Sequence, residues 1–148
     1  MVLSGLLLRI YALDDRPLHV DESTNILRTW EIYKHSSFDF VILDHGPTLY
    51  YSIWSFFKLF GNSLITARLV FVVFGTGMII LLWGIRDALG KKGFIVSSLL
   101  LAVSPVFVYY SRFIRHDIIY EFFFLPHQLH AYGLDARWRS NANRKVIF

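Results

Sequence analysis

The sequence of 148 residues contains no cysteine. This absence excludes disulfide frameworks, thiolate metal sites, cysteine nucleophiles and palmitoylation. Several motifs of well-known enzyme classes are also missing, among them HExxH, GxSxG, the phosphate-binding glycine loop and the dinucleotide-binding glycine fingerprint. Any chemistry of this chain must therefore come from other residue types in other arrangements.

Charged residues are scarce for a soluble domain. They make up 18% of the chain, against 55% hydrophobic and 18% aromatic residues, and the mean hydropathy is +0.46. This composition indicates a membrane protein. The net charge is +4, but the basic residues fall mostly at the ends of apolar runs, where cations mark cytoplasmic sides or lipid headgroups. We therefore expect membrane lipid, and not nucleic acid, as the partner of these cations.

Two apolar runs are predicted to cross the membrane. Leu64–Ile85 carries a single charge, Arg68, and is long enough to span. The run 94–110 is expected to return, with a kink at Pro105. Between them, 86–93 forms a short basic connection, which the positive-inside rule places in the cytoplasm. The other ends of both runs then lie on the non-cytoplasmic face.

The first 13 residues are apolar but reach only about 20 Å as a helix, which is less than the thickness of the hydrocarbon core. A cleaved signal peptide fits poorly, because a basic start is missing and Arg9 interrupts the apolar stretch. We expect the outer half of a first span whose start was lost or misplaced.

Two further helices are expected in the first outer loop, both lying along the membrane surface. The first, 22–34, has Ile26, Leu27, Trp30 and Tyr33 on one side and charged residues on the other. The second, 47–60, begins with Gly46-Pro47, is rich in aromatic residues and stops at Gly61-Asn62. Aromatic side chains of this kind suit the headgroup boundary.

Asp21 and Glu22 are adjacent carboxylates in this loop. Neighbouring helical positions point in different directions, so at most one of them is expected to face a substrate, while the other binds a neighbour or caps the helix. The one that faces a substrate could act as a general base on a hydroxyl. The alternative is that Asp21 or Ser23 only starts a helix and that Glu22 interacts with its dipole.

A second polar cluster follows the run 94–110. Arg112 and Arg115 are three residues apart, so on a helix they would form a two-pronged cation suited to phosphate. The alternative is ordinary snorkelling toward the headgroups. His45, before Gly46-Pro47, is either a turn residue or another polar group aimed at the same place.

The pattern does not demand a cofactor. A divalent cation such as Mg²⁺ or Mn²⁺ is conceivable, because carboxylate and imidazole groups suit these ions. The candidate ligands are Asp21, His116 and Asp117, with Glu22 and His45 as further members of the same polar set. No zinc-type spacing supports such a site.

These motifs together resemble a known family. They are Arg9-Ile10-Tyr11-Ala12-Leu13, His19-Val20-Asp21-Glu22-Ser23, His45-Gly46-Pro47, Thr66-Ala67-Arg68-Leu69, Ser104-Pro105 and the run from Tyr109 to Asp117. Over residues 5 to 120 they resemble the amino-terminal part of the polytopic GT-C glycosyltransferases. The chain looks similar to protein O-mannosyltransferases, aminoarabinose transferases and the archaeal-type flippase activity-associated proteins.

The resemblance implies a transferase in a prokaryotic cell membrane. Such an enzyme moves a sugar, here a mannose-like hexose, from a polyprenyl-phosphate donor to a hydroxyl of an acceptor glycan, lipid or protein on the non-cytoplasmic face. By resemblance, Asp21 matches the acidic residue of the first outer loop and Glu22 its partner. His45 matches the turn before the second surface helix, and Arg112, Arg115 and Asp117 match the polar residues of the second outer loop.

The predicted fold is therefore an all-α polytopic membrane fragment. Residues 1–120 would form the amino-terminal part of a GT-C-like domain, and 121–148 a degraded fourth span with a polar, basic tail. Because family members are several times longer, we expect the fragment alone to be inactive. Two alternatives remain open, a non-catalytic protein that binds polyprenyl-phosphate lipids and assists export, and a transporter fragment, which would place charges at mid-membrane.

Overall fold

The computed structural model describes residues 1–35, 46–128 and 130–131. Over these ranges the chain is helical, and no strand occurs in them, which confirms the all-α prediction. The helices are α1 (Val2–Ile10), α2 (Val20–His35), α3 (Pro47–Phe60), α4 (Leu64–Leu81), α5 (Arg86–Val103), α6 (Pro105–Tyr110) and α7 (117–128).

Helix α4 is the central element. A 3-10 turn, Leu82–Ile85, extends it, and Leu64–Ile85 is the one helix in the described ranges that is long and apolar enough to cross a membrane. The side chain of Ser63 caps its start by accepting a hydrogen bond from the backbone N–H of Thr66. Helices α1, α3 and α5 all pack against α4. The first predicted span is therefore present as a helix.

The second predicted span is divided at Pro105. Helix α5 ends at Val103, Ser104 is extended with ψ 125°, and α6 begins at Pro105. The cause is the proline ring, which lacks an N–H and disfavours a helical residue before it. The expected kink is thus confirmed as a full break.

The predicted connection over 86–93 contains helical turns. Helix α5 begins at Arg86, and Asp87 lies in its first turn, where a carboxylate interacts favourably with the helix dipole. Gly90 interrupts the helix, because its φ of 66° and ψ of 168° are not helical and are accessible mainly to glycine. A short helical turn before Gly90 and a longer helix after it therefore meet at a kink inside the predicted connection.

Helix α3 has the predicted bounds. Pro47 is its first residue, and Gly61 ends it with a φ of 85°, a left-handed conformation that glycine adopts without strain. Helix α2 is present but begins two residues earlier than expected. That α2 and α3 lie along a membrane surface stays a prediction.

The side of α2 that is buried within the protein is mostly polar. Glu22, Asn25, Thr29 and Ile32 are buried, whereas Leu27 is 62% exposed. The reason is tertiary, because this side meets polar partners, among them the backbone carbonyl of Ile114, which accepts a hydrogen bond from Asn25 Nδ2 at 3.0 Å. Hydropathy alone does not identify this buried polar side, and Ile26 and Tyr33 of the apolar side pack partly against the core.

Candidate functional site

Glu22 and Arg68 form an ion pair with both side chains fully buried. Arg68 Nη2 lies 3.2 Å from Glu22 Oε2 and Arg68 Nε lies 3.4 Å from Oε1. Arg16 adds a third charge, with its Nη2 2.7 Å from Glu22 Oε1. This buried ion cluster of Arg16, Glu22 and Arg68 joins the start of α2 to the start of α4.

The buried ion cluster also holds two backbone segments. Arg68 donates to the carbonyls of Leu13 at 2.7 Å and Arg16 at 3.1 Å. Glu22 accepts from the backbone N–H of His19 at 3.3 Å and of Ile114 at 3.2 Å. These bonds satisfy the buried charges, which would otherwise be costly to bury. Glu22 therefore fixes the connection after α1 and the segment 111–116 relative to α2.

Asp21 lies in a different environment from its neighbour Glu22. Its side chain is 46% exposed, and its Oδ2 is 4.0 Å from Arg115 Nη1. Arg115 Nε is in turn 3.1 Å from Asp117 Oδ2. His19 and His116 flank the two carboxylates at 3.9 Å and 3.6 Å. The structure thus brings Asp21, Arg115 and Asp117 together as one surface carboxylate cluster.

The contrast between Asp21 and Glu22 follows from the helix. Successive side chains of an α-helix point about 100° apart, so the burial of Glu22 turns Asp21 toward the surface. Glu22 has no exposed surface and can act on a substrate only through its neighbours. Asp21 is therefore the carboxylate of the pair that a substrate can reach.

Arg112 does not join Arg115. Helix α6 ends at Tyr110, and the chain then turns, so 111–116 is not helical. The prediction that Arg112 and Arg115 form a two-pronged cation is therefore wrong, because it required a helix over these residues. Arg112 Nη2 instead donates to the carbonyl of Ala12 at 2.6 Å, and this bond ties the segment to the end of α1.

A cleft of about 520 Å³ opens between the end of α1 and α6. We call it the arginine cleft. It is lined by Ala12, Asp15, Arg16, Pro105, Val108, Tyr109 and Arg112. The Arg16 guanidinium lies over the ring of Tyr109 at 5.1 Å and over that of Phe113 at 4.8 Å, which orients it by cation–π contact. The cleft thus combines two guanidinium groups with an apolar wall.

The charge of Arg112 is destabilised in this setting. Burial lowers the pKa of Arg112, the positive charges of Arg16 and Arg68 lower it further, and Asp15 acts in the opposite direction. A bound anion would relieve this excess of positive charge. The arginine cleft is therefore suited to an anionic group that carries an apolar chain.

The metal hypothesis gains no geometric support. Among the residues that the structure describes, no group of three or more His, Asp or Glu side chains is arranged to hold a metal ion. The carboxylates of Asp21 and Asp117 are instead both within ion-pair distance of Arg115. His45 lies outside the described residues.

Sequence reasoning did not assign a site role to Arg16 or Arg68. Arg68 carried a usable signal, because a lone arginine in an apolar run requires a buried partner. Arg16 carried none, since its partners Glu22 and Tyr109 meet it only in the folded chain.

The chain matches a known family. Residues 44–131 match the model of the dolichyl-phosphate-mannose-protein mannosyltransferase family, which covers more than half of the chain. The matched range includes Arg68, Arg112, Arg115 and Asp117, whereas Asp21 precedes it. No curated protein and no solved structure matches the chain.

Proposed function

The chain belongs to the dolichyl-phosphate-mannose-protein mannosyltransferase family, and from this premise we propose a specific reaction. A mannose-like hexose is transferred from a polyprenyl-phosphate donor to a hydroxyl of an acceptor glycan, lipid or protein. The reaction takes place on the non-cytoplasmic face of a prokaryotic membrane. The family supports membrane glycosyltransferase activity in general, and the donor, the acceptor and the sidedness are our proposal.

The observation that carries the proposal is the pairing of an exposed Asp21 with a buried Glu22. An acceptor hydroxyl needs a base that is ionised and accessible. Asp21 is accessible to a substrate, and its carboxylate lies 4.0 Å from the guanidinium of Arg115. Glu22 supports the position of Asp21 indirectly, because its ion pair with Arg68 holds the start of α2 against α4.

In the proposed step, Asp21 takes the proton of the acceptor hydroxyl. The acceptor oxygen then forms a bond to the anomeric carbon, and the bond from that carbon to the phosphate oxygen breaks. The polyprenyl phosphate leaves with the electron pair, and the sugar configuration inverts. Negative charge grows on the leaving phosphate, so this group gains more from cations than from a proton donor.

We assign the donor phosphate to the arginine cleft. Arg16 and Arg112 supply guanidinium groups, which bind phosphate oxygens strongly. Pro105 and Val108 supply an apolar wall for the first part of the prenyl chain. Arg16 also contacts Glu22, so the donor site and the start of α2 share one side chain.

The experiment is a binding titration. The full chain is reconstituted in liposomes and titrated with a hexosyl-phosphoryl polyprenol. Loss of the phosphate contact in Arg112→Ala should weaken binding about tenfold or more. Arg28→Ala is the matched control, since Arg28 lies on α2 and pairs with Glu31.

Equal affinity of Arg112→Ala and wild type would contradict the donor site. Sugar transfer to an acceptor hydroxyl by a longer family member in liposomes would support the transferase. Tight donor binding by a longer family member that never transfers the sugar would instead favour the non-catalytic lipid-binding alternative.

A further inference from the structure

Arg9 is a buried arginine on α1 whose hydrogen bonds go to backbone carbonyls. Its side chain is 1% exposed. Nη2 donates to the carbonyl of Leu101 at 2.8 Å, and Nη1 donates to that of Ala102 at 3.2 Å and that of Gly5 at 2.9 Å. Two of these three bonds therefore cross from α1 to the last turn of α5.

The carbonyls that accept these bonds are available because the helix is interrupted at Pro105. In a continuous helix, the N–H of residue 105 would bond to the carbonyl of Leu101, but Pro105 has no N–H. Ala102 also lies in the last turn of α5, where carbonyls lack a partner within the helix. A cation at a helix C-terminus is favourable, because the carbonyl ends of the helix are partially negative. Arg9 thus supplies the hydrogen bonds that the break removes.

Two glycines make room for the Arg9 guanidinium. A Cβ at Gly5 would lie 2.6 Å from Ile79 Cδ1 and 3.3 Å from Arg9 Nη1. A Cβ at Gly75 would lie 3.3 Å from Arg9 Nε and would overlap the side chain of Ser111. Helices α1 and α4 and the residue that follows α6 therefore pack closely around this group.

The position of α6 determines where the site segment begins. Helix α6 has only six residues, and the segment 111–117 that follows it carries Arg112, Arg115 and Asp117. Ser111 Oγ donates to the carbonyl of Phe107 at 2.5 Å, which couples the segment to α6. A change in the direction of α6 would therefore move all three site residues.

We propose that Arg9 is a positioning residue for the site. Its guanidinium replaces the donor that Pro105 lacks, and it thereby holds the break between α5 and α6 and the segment 111–117 in place. Arg9 touches no substrate. The consequence for catalysis rests on the proposed function, whereas the role at the break does not.

A double-mutant cycle tests the role at the break. Arg9→Met should lower the melting temperature of the reconstituted chain by about 5 °C, because two carbonyls lose their donor. In a Pro105→Ala background the new N–H can serve Leu101, and only Ala102 then loses its donor, so the same replacement should cost about half as much. Leu8→Met, at an exposed position of α1, is the matched control and should change nothing.

Equal effects of Arg9→Met in both backgrounds would overturn the proposal, because two independent sites give additive changes. If the single variant Arg9→Met does not fold, the double variant Arg9→Met/Pro105→Ala still tests the proposal. We then expect the double variant to fold. Failure of both variants to fold would count against the proposal. Arg9→Lys keeps the charge but loses the planar fork, so it should fall between wild type and Arg9→Met.

A labelling experiment tests positioning apart from stability. The chain has no cysteine, so a single cysteine in place of Ser111, which is buried directly after α6, reports the opening of that end alone. Arg9→Met should change its labelling rate about tenfold, as expected for local opening, and Pro105→Ala should reverse the change. A cysteine in place of Leu27 on α2 is the control and should label at a constant rate.

An unchanged rate at position 111 in Arg9→Met would refute the positioning role. In a longer family member, matching replacements should lower kcat/KM about a hundredfold, the scale for a site displaced by 1 Å. These readouts separate the two proposals. Labelling and melting that behave as expected in a chain that binds no donor would refute the proposed function and leave the role of Arg9 standing.

Discussion

At the scale of single residues, two adjacent carboxylates have opposite environments. The helical periodicity of the sequence shows that Asp21 and Glu22 cannot face the same way. It does not show which of them is buried, because the choice depends on Arg68, which lies 46 residues further along. Long-range ion pairs of this kind leave no local pattern, and for that reason the sequence left both residues as candidates.

Replacing Glu22 by Gln should destabilise the fold strongly. The charge of Arg68 would remain buried without its partner, which costs about 3 to 5 kcal/mol. The measurement is the free energy of unfolding of the reconstituted chain. Glu22→Gln/Arg68→Met leaves no unpaired buried charge in the pair and should recover a large part of the loss. A Glu22→Gln variant as stable as wild type would show that the buried ion cluster does not hold the segments together.

At the scale of helices, the presence and the ends of a helix could be predicted more readily than the side chains that it buries. Pro47 and Gly61 fix α3 through local backbone preferences, so its bounds could be read from the sequence. The break at Pro105 was predictable for the same reason. The basic stretch 86–93 between two apolar runs predicts a connection, and in the structure this stretch has helical turns that Gly90 interrupts.

Helix α2 shows why the buried side chains of a helix are harder to predict. Glu22 and Asn25 on its buried stripe hydrogen-bond the backbone of Ile114, because buried backbone groups need partners. Hydrophobic periodicity finds the apolar side of a helix but cannot show which polar residues a distant segment will bury. The polar side chains buried on α2 therefore could not be predicted from the sequence.

Two alanine substitutions on α2 test this reading of its faces. Asn25→Ala leaves the carbonyl of Ile114 without its 3.0 Å donor, which should cost about 1 to 3 kcal/mol. Leu27→Ala removes an exposed side chain and should stay within about 0.5 kcal/mol. Chemical denaturation of the two variants gives both values. The reverse order would show that the hydrogen bond from Asn25 to Ile114 does not hold α2 in place.

At the scale of the whole molecule, the site residues gather at one end of the helices. Bonds from Arg68, Arg112 and Glu22 connect the end of α1, the start of α2 and the segment after α6. The sequence predicted that the loops around Asp21 and Asp117 share a face, because the spans between them reverse direction. It could not predict that Arg112 and Arg115 separate into a cleft and a surface cluster.

The membrane orientation can be checked in intact cells. By the positive-inside rule, the basic region around Lys92 should face the cytoplasm, and the start of α2 should face outward. Single cysteines at positions 92 and 27 of this cysteine-free chain should react with an impermeant reagent from opposite sides. Labelling of position 92 from outside would reverse the proposed topology and place the site in the cytoplasm.

The central claim is that Asp21 is the base that activates the acceptor, and turnover in an Asp21→Asn variant tests it most directly. The assay follows sugar transfer from a hexosyl-phosphoryl polyprenol in a longer family member with the replacement at the matching position. Asn keeps the shape of the side chain and is nearly as good as Asp at a helix start. Asp14→Asn, at an exposed position nearby, is the control.

We predict that Asp21→Asn binds the donor as wild type does but transfers the sugar about a hundredfold more slowly or worse, the scale of general-base catalysis. The control should transfer at the normal rate. Transfer at the wild-type rate by a folded Asp21→Asn variant would contradict the account and leave Asp21 with a structural role at the start of α2.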